Sequence, residues 1–264
     1  MDFFVWNADP VLASLGPVTV HWYGALFALA IISGLQMLKY CYIKEKVATE
    51  SLDDLLMYAV VGIVVGARLG HCFFYDPSYY FSHPLKILAI WEGGLASHGG
   101  GLGVILAAYF YQKKYNMSLI WLLDRLAIST ALFGFFVRMG NFINSEIIGI
   151  PSNVPWAIVF SRIDNLPRHP AQLYEALAYL TLFALLFCAY RFSKIKHYSG
   201  ALLGSFLVLV FTARFFIETV KIKQAAYSSD LILSTGQLLS IPFFVVGIVL
   251  IFRAFSLSNL SVDK

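Results

Sequence analysis

Four arginines lie inside long apolar stretches of this sequence: Arg68, Arg125, Arg138 and Arg214. A charge within a membrane-spanning helix is costly, from about 2.5 kcal/mol upward, so it normally faces a polar cavity or a partner. Histidine, tyrosine and glutamate side chains lie at a similar depth to three of these arginines. Several cations at one depth, on different helices, indicate a polar site within the membrane that binds an anion.

The surrounding sequence is typical of a polytopic helical membrane protein. Its 264 residues are 59% hydrophobic and 13% charged, whereas soluble domains are about 45–50% apolar and about 25% charged. We predict an all-α fold with seven transmembrane helices, in a single integral membrane domain (1–264) with one long extracytoplasmic loop. The predicted spans are 18–38, 55–75, 91–112, 119–141, 173–190, 200–220 and 231–252, and the long loop is 142–172.

The lysines and arginines of the loops predict the orientation of these helices. Alternate loops, including 39–54 and the C-terminus, carry ten of these residues, and the other loops carry five. The positive-inside rule therefore places the N-terminus outside and the C-terminus in the cytoplasm. The net charge of +4 reflects this topology, and we expect no nucleic-acid partner.

With this orientation, every predicted span carries a polar residue in its outer third. His98 is seven residues into its span, on the order of 10 Å deep at about 1.5 Å per residue. The inner halves of several spans are almost purely apolar, and we interpret Asp124 and Arg125 as a helix start at the cytoplasmic interface. The outer polar residues are Tyr23, Arg68, His98, Arg138, Asn141, Glu175, Arg214, Glu218 and Gln237.

Each of these residues also has an ordinary structural interpretation. Arg214 and Glu218 are one helical turn apart and can pair with each other. A single tyrosine such as Tyr23 is typical of the aromatic belt at a membrane interface. Convergence of three or more polar residues at one face favours a functional site. The three cysteines have no metal-binding spacing, and we expect neither a metal nor a cofactor.

The segment 91–103 places six glycines around His98. Small residues let transmembrane helices pack closely, which is one interpretation. In the other, glycines such as Gly99 and Gly100 open backbone amides towards an anionic group where the helix lines a cavity. We favour the second interpretation because a histidine is in the middle and arginines are nearby.

Two further segments combine polar residues with helix boundaries. In 138–149, Arg138 and Asn141 share a helix face, and Asn144 is compatible with a simple helix cap. In 169–175, Pro170 suits the first turn of a helix. Glu175 then follows as an ion-pair partner for one of the arginines.

At these residues the chain resembles the bacterial phosphatidylglycerol–prolipoprotein diacylglyceryl transferases. The resemblance runs nearly end to end, and the blocks around His98 and Arg138 are its most specific parts. It implies seven spans in the bacterial plasma (inner) membrane, an outside N-terminus and an active site towards the extracytoplasmic side. The blocks are HWYG at 21–24, GARLGHCFFYD at 66–76, WEGGLASHGGGLG at 91–103, RMGNFINSEIIG at 138–149, HPAQLYEA at 169–176, ARFFIE at 213–218 and TGQLLSIP at 235–242.

The resemblance also implies an activity. Such an enzyme moves the diacylglyceryl group of phosphatidylglycerol to the lipobox cysteine of a prolipoprotein signal peptide and releases glycerol phosphate. The expected partners are therefore phosphatidylglycerol, this peptide and the membrane lipids. The implied catalytic residues are Tyr23, His98, Arg138 and Arg214. The predicted substrate-binding residues are Arg138, Asn141, Glu146, Gly149, Arg214 and Glu218, to which the arginine and glycine patterns add Arg68, Gly99 and Gly100.

This chemistry fits the residue types. A thiol with a pKa of about 8.5 must lose its proton to attack carbon, and His98 is the obvious general base. Arginines bind a phosphate leaving group as its charge develops. One residue departs from the family: Lys221 stands where an arginine is typical, so the charge is kept but the bidentate fork is lost.

Two other classes of protein also place charged residues in a membrane. A transporter or channel needs a polar pathway through both halves of the bilayer, and the inner half here is apolar. A membrane cytochrome could use His71 and His98 as haem ligands, but such proteins usually pair histidines at several levels. We therefore favour the transferase and keep both classes as alternatives.

Overall fold

The computed structural model describes residues 3–16, 18–94, 96–222 and 233–262. The strands are short and lie outside the long helices. The helices are α1 Trp22–Lys44, α2 Leu52–Phe74, α3 Pro77–Ser82, α4 Ser97–Lys114, α5 Leu119–Ile143, α6 Ala171–Phe192, α7 Ala201–Ile217 and α8 Thr235–Val262, and the strands are β1 Phe4–Trp6, β2 Val11–Leu15, β3 Val18–His21, β4 Ile158–Phe160 and β5 Pro167–Arg168.

Six helices of the described chain are long and apolar enough to cross a membrane: α1, α2, α5, α6, α7 with its short extension to Val220, and α8. This confirms the prediction of a polytopic helical membrane protein. The predicted span 231–252 corresponds to α8, although 231 and 232 lie outside the described residues.

The third predicted span, 91–112, differs from the structure. Two short 3-10 helices, Pro84–Leu88 and Ile90–Glu92, precede α4, which begins only at Ser97 and has 18 residues. Glycines at the start of α4 and a polar Gln-Lys-Lys end make it less apolar than the other long helices. Crossing by α4, and with it the seventh span, stays a prediction.

The chain divides into two compact units, and each is described by itself. The first comprises residues 1–38 and 124–264, and the second comprises 39–123. The single membrane domain expected from the sequence stays a prediction.

In the second unit, glycines bring α2 and α4 into backbone contact. A Cβ added at Gly66 would lie 2.9 Å from the Cα of Gly103, and one at Gly70 would lie 2.9 Å from the Cα of Gly99. Small residues at four-residue spacing allow this close approach. For Gly99 and Gly103 the structure therefore agrees with the helix-packing interpretation of the glycine segment.

In the first unit, the long loop after α5 carries a small sheet. β1 pairs in parallel with β4, and β4 pairs antiparallel with β5. Trp6 packs on Phe142 at the end of α5, with ring centroids 4.4 Å apart. Phe142, Phe160 and their buried neighbours form an apolar cluster that supports the loop. β2 and β3 form a separate antiparallel hairpin before α1.

Asp124 and Arg125 do not start a helix, so that expectation was wrong. α5 begins at Leu119, and Asp124 is fully buried within it. Its carboxylate accepts the backbone N–H groups of Gly200 and Leu203, both at 2.8 Å. These groups belong to the first turn of α7, where N–H groups have no partner within the helix. Asp124 therefore caps α7.

Candidate active site

A row of alternating charges lies where α5 and α7 end and α6 begins. Arg138 Nε is 3.0 Å from Glu175 Oε2, and Lys221 Nζ is 3.2 Å from Glu175 Oε1. Lys221 Nζ is also 3.5 Å from Glu218 Oε2. The predicted pairing of Glu175 with an arginine is thus confirmed. The predicted pair of Arg214 and Glu218 is absent among the described residues, because Glu218 faces Lys221 instead.

Asparagine side chains extend this row to Glu146. Arg138 Nη1 donates to Asn141 Oδ1 at 3.3 Å, and Asn141 Nδ2 donates to Glu146 Oε2 at 3.1 Å. Asn144 Nδ2 donates to the other carboxylate oxygen of Glu146 at 3.1 Å. Gln172, fully buried at the start of α6, donates its Nε2 to the main-chain carbonyl of Glu146. The polar residues of α5 and the following turn therefore form one connected group.

The turn that carries Glu146 has an unusual backbone. Ser145 has a φ of 57° and Ile147 a φ of 55°. Positive φ is rare for any residue with a side chain, and especially for a β-branched residue. Such strain persists only where the surroundings impose it, and it is common at functional sites. The turn presents the Glu146 carboxylate to Asn141 and Asn144.

Gly149 has no room for a side chain. A Cβ there would lie 2.5 Å from the carbonyl oxygen of His169 and 2.6 Å from that of Val220. Its N–H donates to His169 O at 3.0 Å, and it forms an isolated β-bridge with Lys221. The predicted site residue Gly149 therefore joins the segment that carries Lys221 to the loop before α6.

Tyr23 lies beside this group, at the start of α1. Its ring packs against the backbone of Gly140, where an added Cβ would be 2.9 Å from the Tyr23 Cδ2. The Tyr23 hydroxyl is close enough to Glu146 and Arg138 to experience their charges. Tyr23 therefore lies next to the group formed by Arg138, Asn141 and Glu146; their role as site residues stays a prediction.

Arg214 lines a small, open groove between α6 and α7. Among the described residues it forms no ion pair and no hydrogen bond. Tyr179 is hydrogen-bonded to Arg138 and also interacts electrostatically with Arg214. Glu175, Tyr179 and Arg214 are the polar lining residues, and the apolar ones are Ala178, Leu182, Leu209, Val210, Ala213 and Ile217. The groove therefore combines a half-buried cation with an apolar wall.

Arg68, Gly99, Gly100 and His98 belong to the second unit. Arg68 is buried in α2 and donates to backbone carbonyls of the segment before α4. Gly99 packs against α2, and a Cβ at Gly100 would make only ordinary contacts, 3.6 Å from the Ala67 Cβ. His98 is the second residue of α4, and its side chain lies outside the described atoms.

Comparisons with known proteins show the family of this chain. The family model for prolipoprotein diacylglyceryl transferase matches residues 10–253. The chain belongs to this family. A relative from Tolumonas auensis, named phosphatidylglycerol–prolipoprotein diacylglyceryl transferase, is 55% identical over 246 residues, covering 93% of this chain and 95% of the relative. Relatives of the same name are 47% identical in Chloroherpeton thalassium (96% and 95% covered) and 44% identical in Porphyromonas gingivalis (96% and 95% covered).

Family membership does not favour the transporter and cytochrome alternatives. The contacts in the structure add residues that sequence reasoning had not assigned to the site. Gln172 and Tyr179 both contact the charged group, and Gln172 falls within the block 169–176 that carried the resemblance. Tyr179 gave no such signal, because a tyrosine in an apolar helix is not distinctive. Lys221, noted only as a departure, is the cation between Glu175 and Glu218.

Proposed function

We propose that this protein transfers the diacylglyceryl group of phosphatidylglycerol to the lipobox cysteine of a prolipoprotein. In this reaction the cysteine sulfur attacks the glyceryl carbon that carries the phosphate. A C–S bond forms, the C–O bond to phosphate breaks, and glycerol phosphate leaves. The family match and the shared name of the relatives support the donor and the acceptor.

The observation that carries the proposal is the groove at Arg214. An anionic phospholipid needs a cation for its phosphate and an apolar surface for its acyl chains. Arg214 has no carboxylate partner among the described residues, and Leu182, Leu209 and Val210 continue the lining. In a water-poor site a positioned guanidinium stabilises the charge of a leaving phosphate. We assign Arg214 this role.

Arg138 has a second, complementary role in this proposal. Its charge is shared with Glu175, and Asn141 holds one of its Nη groups. An arginine held in this way is oriented before the lipid arrives, which lowers the cost of ordering it. We propose that Arg138 and Tyr23 contact the lipid headgroup. Asn141, Glu146, Gly149 and Glu218 would keep the cations in place and complete the substrate-binding surface.

We assign His98 the role of general base. A thiol at neutral pH is mostly protonated, and a histidine is the residue best suited to remove this proton. The assignment is supported by the position of His98 in the most specific block of the resemblance. Gly99 and Gly100 follow it directly in the sequence.

The proposal includes a topology. We infer seven spans, with α4 as the third, an outside N-terminus and a cytoplasmic C-terminus in the bacterial inner membrane. The excess of lysine and arginine in alternate loops supports this orientation. Both substrates would then meet the enzyme from the extracytoplasmic side.

One assay tests the proposed function. Purified protein is mixed with phosphatidylglycerol vesicles and a lipobox peptide, and mass spectrometry looks for a thioether-linked diacylglyceryl peptide. We expect this product, and none when phosphatidylethanolamine is the sole lipid. A peptide with serine in place of the cysteine is the matched control. Comparable product from phosphatidylethanolamine, or none from phosphatidylglycerol, contradicts the proposal.

A further inference from the structure

Arg68 uses its side chain to hold a loop of its own unit. Its Nε donates to the carbonyl of Ile87 at 2.9 Å, and its Nη1 to that of Gly94 at 3.3 Å. Further hydrogen bonds go from Nη1 to Gly93 O and from Nη2 to Lys86 O. Four hydrogen bonds occupy most of the five N–H donors of a guanidinium.

We propose that Arg68 is a positioning residue that fixes the segment 86–94 in front of the helix that carries His98. This proposal deepens the proposed function and rests on it, because it gives Arg68 a role in placing the general base. It differs from the substrate-binding role that the sequence predicts for Arg68.

The segment 86–94 needs such an anchor. Its regular structure is limited to parts of two short 3-10 helices, and Gly93 and Gly94 follow with φ values of 86° and 70°. Leu88 is 71% exposed and Trp91 is 78% exposed, so the segment packs little of its own apolar surface. Short 3-10 turns leave carbonyls without partners, and these are costly near a membrane. Arg68 donates to four carbonyls of this segment, of which that of Lys86 also accepts the N–H of Ala89.

Residues of α2 on either side of Arg68 in the sequence hold the backbone around His98. The backbone N–H of Ala96 donates to the carbonyl of Ala67 at 2.9 Å. Gly99 lies against Gly66 and Gly70 so closely that its Cβ would be 3.0 Å from the Cα of Gly70. His98 is between these two contacts in the chain. The backbone position of His98 is therefore set by α2. One of the contacts is made by Ala67, the residue before Arg68.

The close packing of Arg68 against the segment 86–94 requires a glycine at position 94. A Cβ at Gly94 would lie 2.6 Å from the ring of His71 and 2.9 Å from Arg68 Nη1. The Tyr80 ring covers the guanidinium from another side, with the Arg68 Cζ 5.1 Å from its centroid. Arg68 is thus enclosed by the loop that it holds, and any side chain at Gly94 would push the two apart.

The test compares Arg68→Met, Arg68→Lys and Gly94→Ala with the unchanged enzyme. Transfer kinetics are measured against phosphatidylglycerol concentration, and hydrogen–deuterium exchange of residues 86–94 is measured in the same detergent. We expect Arg68→Met to lower kcat by about 10²-fold, the effect of a misplacement of about 1 Å. The KM for phosphatidylglycerol should stay within about twofold, and exchange in 86–94 should rise at least about tenfold.

Two comparisons sharpen the test. Arg68→Lys keeps the charge but lacks the planar fork, so it should lose about tenfold in kcat. Gly94→Ala should resemble Arg68→Met, and the double variant should be no worse than either, because both changes release one loop. Leu69→Ala, the exposed neighbour of Arg68 on α2, is the control and should keep both kcat and exchange.

The outcomes separate this proposal from the proposed function. If KM rises at constant kcat, Arg68 is a lipid ligand and the proposal is overturned. Unchanged exchange in 86–94 for Arg68→Met also overturns it. If the unchanged enzyme makes no thioether product, the proposed function fails, and the exchange measurement still decides whether Arg68 holds the loop.

Discussion

The guanidinium groups of Arg138, which is half-buried, and of Arg68, which is buried, have different kinds of partner. Arg138, in the first unit, contacts the side chains of Glu175 and Asn141. Arg68, in the second unit, donates to backbone carbonyls such as those of Ile87 and Gly94. A carboxylate neutralises a cation and can be exchanged for a phosphate, whereas several backbone carbonyls tie the arginine to one loop conformation. The comparison indicates that Arg138 serves a ligand and Arg68 serves the fold around His98.

Arg214 is a third case. It lines the groove between α6 and α7 without an ion pair among the described residues. A half-buried cation without a carboxylate is unfavourable until an anion binds. Glu218, the partner expected from helical spacing, faces Lys221 at 3.5 Å. Lys221 therefore leaves Arg214 available for the lipid phosphate.

The largest expected effect tests the base. His98→Gln should lower the chemical step by about 10²–10⁴-fold. The rate of the unchanged enzyme should rise with pH as the imidazole loses its proton. In the variant this dependence should move towards the ionisation of the thiol, so that higher pH partly restores the rate. Measurements with the lipobox peptide at several pH values check this, with phosphatidylglycerol binding as the folding control. A variant with the original rate and profile would show that the base lies elsewhere.

The next effect compares the arginines of the first unit. Arg138→Lys and Arg214→Lys should each lower transfer by about 10²–10³-fold, because lysine lacks the fork that holds two phosphate oxygens. The thermal midpoint should fall only for Arg138→Lys, since Arg138 alone of the two has a carboxylate partner among the described residues. Turnover and thermal unfolding at matched expression measure both. Near-normal turnover of both variants would show that guanidinium geometry is unimportant here.

These differences mark how far the sequence could predict the molecule. Six of the seven spans, the helix start after Pro170 and the pairing of Glu175 with an arginine follow from hydropathy, proline geometry and charge. The carbonyl partners of Arg68 could not be predicted, because the segment 84–94 has no helical or strand periodicity. Asp124 was misread for a related reason: its partners are the amides of α7, about 76 residues further along the chain. Local patterns do not encode such tertiary contacts.

A smaller effect, on stability, concerns Lys221. Lys221→Met should destabilise the protein by about 3–5 kcal/mol, because Glu175 and Glu218 would lose their shared cation in a buried place. Lys221→Arg should retain stability, since a guanidinium can also reach both carboxylates. Chemical unfolding in detergent measures the difference. Lys113→Met, a change at an exposed lysine, is the control and should change stability by less than about 0.5 kcal/mol. Equal stability of Lys221→Met and the control would mean that the charge row is not stabilising.

The smallest effect lies outside the spans and shows what a partly exposed pair contributes. Asp164 accepts Arg168 Nε at 3.1 and 3.0 Å, and this hydrogen bonding lowers the pKa of the Asp164 carboxyl. Because the pKa is lower in the folded state, the stabilisation is present above the unfolded pKa of about 3.9 and is lost as the pH falls through the folded value. Solvent screening limits it to about 0.2–1 kcal/mol.

Asp164→Asn should therefore reduce stability slightly at neutral pH, and the difference from the unchanged protein should vanish in acid. Unfolding measured at both pH values checks this, and a difference that grows in acid would have the wrong sign. A loss as large as that of Lys221→Met would break the comparison, because burial would then not separate the two ion pairs.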